Sequence, residues 1–306
     1  MNDDKNLKSW QSPPLGAEGL GSPLGARGRW LQTGLKIFIT AGCLWYVSQK
    51  INWILTWQLL EKSNKLWLII AAVLFTFSKI VSSFRLNIYF RNIDVNLNEI
   101  TNLKLYWLGM FYNLFLPGGI GGDAYKVILL NRQQKHSAKK LTAAVLLDRI
   151  SGVAGLGILV AVYYFLIYKG SQYSYGVLAA IIPGLVVYYI FVRKLFPSFI
   201  KSFFSTLWLG LAVQLLQVLS VYCLIASINI SAHTNQYIFL FLLSSIVAIL
   251  PFTIGGLGAR EVVFLWGSQQ FMLDSHQSIY ISILFYIITV ITSLVGLRWV
   301  YKDPLK

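Results

Sequence analysis

Long runs of apolar residues dominate this sequence. Eight of them approach or exceed the ~20 residues with which a helix crosses a ~30 Å hydrocarbon layer. They span residues 31–47, 66–84, 100–116, 141–168, 175–192, 203–228, 236–250 and 279–300. Hydrophobic residues make up 56% of the 306 residues and charged residues only 12%, about half the charged share of a soluble domain. This composition excludes a disordered chain and an ordinary soluble enzyme, and it predicts an all-α polytopic membrane protein.

The amino-terminal segment contains no apolar run and is rich in Pro, Gly and Ser, with PLGAEG at 14–19 nearly repeated as PLGARG at 23–28. Such a segment cannot bury enough apolar surface to form a core, so we expect residues 1–29 to be a flexible cytoplasmic tail. A cleaved signal peptide needs an apolar core before residue 30, and the sequence has none there. Residues 30–302 are then predicted to form one transmembrane domain.

The chain is strongly basic, with 26 Lys and Arg against 11 Asp and Glu and a net charge of +15. In a soluble domain this excess suggests nucleic acid. Here the cations lie mainly between the apolar runs, so we expect topology signals and attraction to anionic lipids, and no nucleic-acid partner.

The distribution of these cations constrains the topology. If all eight runs cross the membrane, Lys and Arg divide almost equally between its two faces, against the positive-inside rule. If the third and seventh runs instead turn back at their glycine motifs, most cations lie on one face. We therefore predict six full spans and two re-entrant hairpins, with both termini cytoplasmic.

A glycine-rich motif occurs twice and aligns without a gap, as LPGGIGGDAYK at 116–126 and LPFTIGGLGAR at 250–260. Each copy ends an apolar run and precedes a further helical stretch. Pro removes a backbone donor and Gly permits conformations closed to other residues, so Pro117 and Pro251 are predicted to break helices. An odd number of full spans separates the two hairpins, which therefore enter from opposite faces as an inverted repeat.

In transporters of this architecture, broken helices present free N–H groups to an anionic substrate near the bilayer midplane. Lys126 and Arg260 occupy equivalent positions within about one turn of these helix starts, where their charge adds to that of the helix dipole. A phosphate is the ligand that this pattern predicts. The alternative is that Pro and Gly only kink the helices for packing. The candidate substrate-binding residues in and beside the motifs are Asn113, Gly118, Gly119, Gly121, Gly122, Asp123, Lys126, Thr253, Gly255, Gly256, Gly258, Arg260 and Glu261.

Ionisable residues inside apolar runs cost about 2.5–3.5 kcal/mol each to insert, so they tend to mark function. Asp148 and Arg149 are adjacent in a helix predicted to begin near Ser137, and they point about 100° apart, so each needs a partner on another helix or in a polar cavity. Snorkelling to the headgroups is an equal alternative. For Lys79 and Arg85, near the predicted cytoplasmic end of the second span, a topological role is favoured.

Two acidic residues of the motifs have more than one interpretation. Asp123 is expected either to cap the helix that contains Lys126 or to titrate during transport. Glu261 follows Arg260, and it either carries a proton or neutralises Arg260 locally.

We expect no metal and no cofactor. His136, His233 and His276 are far apart in sequence, and none has a Cys or carboxylate at the spacing of a metal site. The sequence also lacks a Walker A loop, a GxSxG elbow and an HExxH helix. ATP hydrolysis by this chain alone is therefore not expected.

Three segments, YNLFLPGGIGGDAYKV at 112–127, VLLDRISG at 145–152 and LPFTIGGLGAREVVF at 250–264, resemble signature regions of the lysylphosphatidylglycerol synthase transmembrane, or flippase-like, domain family. The resemblance implies a domain of the bacterial plasma (inner) membrane associated with lipid translocation. It also adds Asp148 and Arg149 to the candidate binding residues. Family enzymes that aminoacylate phosphatidylglycerol carry a soluble transferase domain after the membrane region, so we do not expect synthase activity here.

The leading functional hypothesis is a lipid flippase or transporter, with an anionic, aminoacylated or polyprenyl-linked lipid headgroup as its substrate. The alternative is an accessory subunit that presents lipid to a separate lipid-modifying enzyme. A membrane transferase is the weakest hypothesis, because acidic residues that could serve as acid or base are sparse in the predicted loops.

Overall fold

The computed structural model describes residues 38, 41–42, 45–46, 48–49, 53–115, 120–249, 253, 256–302 and 304–305. Its helices are α1 (Trp53–Lys62), α2 (Lys65–Arg91), α3 (Glu99–Phe115), α4 (Gly121–Gln134), α5 (Ala138–Ile167), α6 (Gln172–Ala179), α7 (Ile181–Leu195), α8 (Phe203–Ser227), α9 (Thr234–Ile249), α10 (Ala259–Gln270) and α11 (Ser275–Leu294). Two 3-10 helices, Pro197–Ser202 and Val295–Trp299, precede α8 and follow α11. The predicted tail at 1–29 and the motif residues Pro117, Gly118, Gly119, Pro251 and Gly255 lie outside the described residues.

Five helical stretches in the described part of the chain are long and apolar enough to cross a membrane. They are Lys65–Arg91, Ala138–Ile167, Gln172–Leu195, Pro197–Ser227 and Ser275–Trp299. The prediction of an all-α polytopic membrane protein is thus confirmed. Helix α9 is also apolar but shorter, and the division into eight segments with two re-entrant hairpins stays a prediction.

Two apolar cores form at opposite ends of a centre made by α2, α5 and α8, which pack against one another. The first core contains Phe75, Leu156 and Leu224 of these helices, together with buried residues of α9, α10 and α11. The second contains Leu86 and Leu147 of the central helices, together with buried residues of α3 and α4. The stretches of the central helices between the two cores carry most of their polar side chains.

The helices next to the glycine motifs begin where the sequence predicts. Helix α4 begins at Gly121, and α5 begins at Ala138, directly after Ser137. Helix α10 begins after Gly258, whose φ of 83° lies in the left-handed region that favours glycine. The Gly258 N–H donates to the Glu261 carboxylate at 2.7 Å, which satisfies a free backbone donor at the helix start.

Two stretches differ from expectation. Helix α2 continues past Phe84, where the apolar run ends, and Arg85 lies inside the protein at 5% exposure. The protein supplies partners for some of the polar groups there; the Asn87 amide, for example, donates to the Leu97 carbonyl at 3.1 Å. Helix α1 forms in a stretch that the topology assigns to an outer loop, and it packs against α11.

Candidate functional site

A cavity of about 350 Å³ lies between the two apolar cores, within the ~300–1,000 Å³ typical of ligand pockets. The carboxyl ends of α3 and α9 both reach it, through Asn113 and Leu114 on one side and Ala248 and Ile249 on the other. The stretches that follow these helices are the two copies of the glycine motif. Thr253, Gly256 and Arg260 of the second copy line the cavity, and the helix that precedes the first copy ends at it.

Each motif joins two helices that share a core. Leu105 of α3 and Val127 of α4 are buried in the second core, and Leu240 of α9 and Phe264 of α10 are buried in the first. Each pair of helices thus extends from a core to the cavity and back to the same core. The two pairs approach the cavity from opposite ends of the central helices.

Three cationic side chains from three helices line the cavity: Lys79 of α2, Arg149 of α5 and Arg260 of α10. Among the described residues, no Asp or Glu lines it. Neither Lys79 nor Arg260 forms an ion pair with a described residue. The cavity wall therefore carries positive charge that the described part of the chain does not neutralise.

The contacts of these two unpaired cations are with aromatic rings. The Arg260 guanidinium lies 5.2 Å from the ring centroid of Phe285, and the Lys79 ammonium lies 4.4 Å from that of Phe75. Cation–π contacts contribute about 0.5–2 kcal/mol, less than the pairing that a buried charge needs. Both cations thus retain the capacity to bind an anion in the cavity.

Uncharged polar side chains also line the cavity. They are those of Asn113, Gln214, Thr253, Thr289 and Ser293. The Asn113 side-chain oxygen accepts a hydrogen bond from the Gly122 N–H at 2.9 Å, which ties the end of α3 to the start of α4. The Gln214 amide donates to the Gly152 carbonyl at 3.1 Å, while its Oε1 is buried with no partner among the described residues.

Asp123 pairs with two cations near the first motif, Lys126 and Arg149. Its carboxylate accepts hydrogen bonds from the Lys126 ammonium at 3.0 Å and from Nε of Arg149 at 2.5 Å. Lys126 is only 4% exposed and does not line the cavity. Its ammonium lies 4.8 Å from the ring centroid of Tyr106, which does line the cavity.

Asp148 and Arg149 do not pair with each other, and each finds a partner on another helix, as the sequence predicts. Asp148 binds Arg85 of α2, with 2.7 Å between the carboxylate and Nε. Both side chains are nearly inaccessible, which argues against snorkelling. The Arg85 guanidinium lies against Gly152 and Gly210, where an added Cβ would come within 3.3 Å of Nη1. This buried pair holds α2 against α5 next to the cavity.

Glu261 points away from the cavity. Besides the Gly258 N–H, its carboxylate accepts a hydrogen bond from the Ser282 hydroxyl at 2.7 Å, and the residue is 1% exposed. These bonds join the start of α10 to α11. Glu261 thus supports the helix that presents Arg260, and it does not line the cavity.

The structure brings only part of the predicted site to the cavity. The predicted residues that line it are Asn113, Arg149, Thr253, Gly256 and Arg260. Those described but away from it are Gly121, Gly122, Asp123, Lys126, Asp148, Gly258 and Glu261. Sequence reasoning favoured a topological role for Lys79 and did not single out Gln214. Their position inside apolar runs is the signal that points to them.

Comparison with known proteins gives a family match over most of the chain. The family model described as the lysylphosphatidylglycerol synthase TM region matches residues 34–296. A UPF0104 membrane protein of Pyrococcus horikoshii is 27% identical over 109 residues, which make up 33% of this chain and 32% of that protein. This match covers about a third of the length of that curated relative.

Proposed function

Because this chain belongs to the lysylphosphatidylglycerol synthase transmembrane region family, we propose that it moves the headgroup of an anionic, phosphate-bearing lipid across the bilayer. Family membership confirms the resemblance inferred from the three motif segments, and it is consistent with a membrane lipid-related role. The observation that carries the proposal is the charge of the cavity, where Lys79, Arg149 and Arg260 converge without an acidic lining residue in the described chain.

An anionic headgroup compensates the cationic side chains of the cavity, which the described part of the protein does not do alone. Each uncompensated charge inside a membrane costs several kcal/mol, and an anion between Lys79 and Arg260 offsets this cost. A phosphate can accept hydrogen bonds from a guanidinium fork and an ammonium together. The lipid chains remain in the hydrocarbon layer while the headgroup occupies the polar cavity.

We propose further that α3–α4 and α9–α10 are re-entrant hairpins related as an inverted repeat. The end of α2 and the start of α5 both lie at the second core, so α3 and α4 return to the side from which they came. The end of α8 and the start of α11 both lie at the first core, so α9 and α10 also return to the side from which they came. Rocking of one repeat against the other would then expose the cavity alternately to the two faces.

The proposed location is the bacterial inner membrane, with both termini cytoplasmic. Exposed residues at the two ends of α5 offer a test, because Lys139 and Lys169 then lie on opposite faces. Each variant is made in a cysteine-free version of this protein and expressed in cells that are converted to spheroplasts. An impermeant maleimide added outside should label Lys169→Cys but not Lys139→Cys. The reverse pattern, or labelling of both, contradicts this orientation.

The experiment that tests transport uses purified protein in proteoliposomes. Fluorescent phosphatidylglycerol, lysylphosphatidylglycerol and phosphatidylcholine are supplied in parallel, and an impermeant reductant reports the lipid that reaches the outer leaflet. We expect the anionic lipid to move faster than in protein-free vesicles. If no lipid moves faster, transport by the isolated chain is contradicted and the accessory hypothesis gains weight.

A further inference from the structure

A second cavity of about 480 Å³ lies between α5 and the stretch formed by α6 and α7. It adjoins the cationic cavity, since Val153 lines both. The described residues of its wall are apolar apart from Tyr188, and none of them is charged. A cationic cavity and an apolar groove thus lie side by side along one face of α5.

Small residues open this groove. Ala154, Gly157 and Ala161 are among the residues on its α5 side, and Gly184 lies on the α7 side. A Cβ added to either glycine would meet no atom within 4 Å, so the space beside both helices is free. On α5 the lining extends from Ile150 to Ala161, about 16 Å along the helix. That length equals about half of the ~30 Å hydrocarbon layer, which is the depth of one leaflet.

We propose that the groove binds one acyl chain of the phospholipid whose phosphate occupies the cationic cavity. This inference rests on the proposed function, and it names the part of the substrate that the cationic cavity does not contact. Only an amphiphile complements both cavities, because a soluble anion fills the first alone and a neutral hydrocarbon fills the second alone. The one-leaflet length fits a single acyl chain, with the second chain in the surrounding bilayer.

Filling the groove tests the proposal. Gly157→Leu and Gly184→Leu place a side chain into free space and displace the methylenes of a bound chain. Gly176→Leu is the matched control, because a Cβ there also meets no atom within 4 Å and Gly176 lines neither cavity. We expect translocation of dioleoylphosphatidylglycerol to slow about tenfold or more in both groove variants, because the Leu side chain occupies the space of the bound acyl chain and removes its packing contacts with the two helices. The control should keep the wild-type rate.

The result must be separable from a fault in folding. Thermal unfolding in detergent is compared for the three variants, and Gly157→Ala provides a milder step that should slow translocation less than Leu. The acyl-chain site is overturned if a groove variant has the unfolding temperature of the wild type and also moves dioleoylphosphatidylglycerol at the wild-type rate. If the wild type moves that lipid, and substitution of the cavity cations slows translocation while substitution of the groove glycines does not, the proposed function stands and this inference fails.

A binding assay decides the matter even if no lipid is transported. Phosphatidylglycerol with a diazirine on one acyl chain is photolysed in proteoliposomes, beside diacylglycerol with the same labelled chain. We expect phosphatidylglycerol to label residues 150–161 several-fold more than diacylglycerol does. This excess should disappear in Lys79→Gln/Arg260→Gln. Equal labelling by both lipids, or labelling unchanged in the double variant, means surrounding bilayer lipid only and overturns the proposal.

Discussion

Arg149 donates a hydrogen bond from Nε to Oδ2 of Asp123 over 2.5 Å, which joins α5 to the first turn of α4 beside the cavity. The same carboxylate binds Lys126. One negative charge is therefore shared by two cations of the first repeat. In the second repeat, Glu261 bonds to a backbone N–H and to Ser282, so Arg260 faces the cavity without a carboxylate partner in the described chain.

Removal of the Asp123 charge is expected to strengthen anion binding. Asp123→Asn keeps the size of the side chain but ends the neutralisation of Arg149. At an effective dielectric constant near 20, removal of a unit charge roughly 8–16 Å from a bound anion changes the affinity for that anion by about 1–2 kcal/mol. Titration of purified protein with inorganic phosphate, followed by tryptophan fluorescence, measures the effect. Weaker binding by a folded variant would instead assign Asp123 to the positioning of Arg149.

The buried pair between Arg85 and Asp148 is expected to be costly to break. Asp148→Leu leaves the Arg85 charge without its partner at 5% exposure, and loss of one member of such a pair destabilises by about 3–5 kcal/mol. The double variant Arg85→Met/Asp148→Leu removes both charges and should recover most of that stability. Thermal unfolding in detergent measures both. Equal unfolding temperatures for wild type and Asp148→Leu would rule out this role.

Close approach of α3 and α4 depends on a glycine. A Cβ at Gly122 would lie 1.8 Å from the Gly109 carbonyl oxygen, so Gly122→Ala must push the two helices apart. Overpacking of this kind costs about 1–3 kcal/mol. Gly157→Ala makes the same chemical change where the added Cβ meets no atom, so this variant should have the unfolding temperature of the wild type. The account is wrong on this point if the two variants have the same stability.

Glu261 is expected to act on stability and not on anion selectivity. Glu261→Ala leaves the Gly258 N–H and the Ser282 hydroxyl without their acceptor, which costs about 1–3 kcal/mol for each buried group left unpaired. Ser282→Ala removes one donor only and should cost less. Unfolding curves give the stability, and translocation per folded molecule should match the wild type. A transport defect in fully folded Glu261→Ala would indicate a direct role such as proton transfer.

Much of the local structure was predictable because it depends on neighbours in sequence. Helix α4 begins at Gly121 and α5 directly after Ser137, as these residue types predict within one turn, although the Ser137 side chain makes no capping hydrogen bond. The different directions of the adjacent Asp148 and Arg149 side chains follow from helix geometry alone. That each has a partner on another helix was predictable for the same reason; which partner it has was not.

The composition of the cavity depends on packing and could not be predicted in the same way. Lys126 matches Arg260 in the repeat, yet it is buried with Asp123 behind Tyr106, while Lys79 from a distant helix lines the cavity. An apolar run specifies that a helix is buried, but not how it rotates against its neighbours. Arg85 illustrates the same limit, because its burial depends on Asp148, far along the chain.

Translocation by a variant without the two unpaired cations tests the central claim most directly. Lys79→Gln/Arg260→Gln removes both charges, and Lys140→Gln/Arg132→Gln makes the same changes at exposed positions of α5 and α4. Each charge-assisted contact is worth about 1.5–3 kcal/mol, so the cavity variant should move fluorescent phosphatidylglycerol about a hundredfold or more slowly than the wild type, while the surface variant keeps its rate. Equal rates for the two folded double variants would contradict an anionic headgroup site in this cavity.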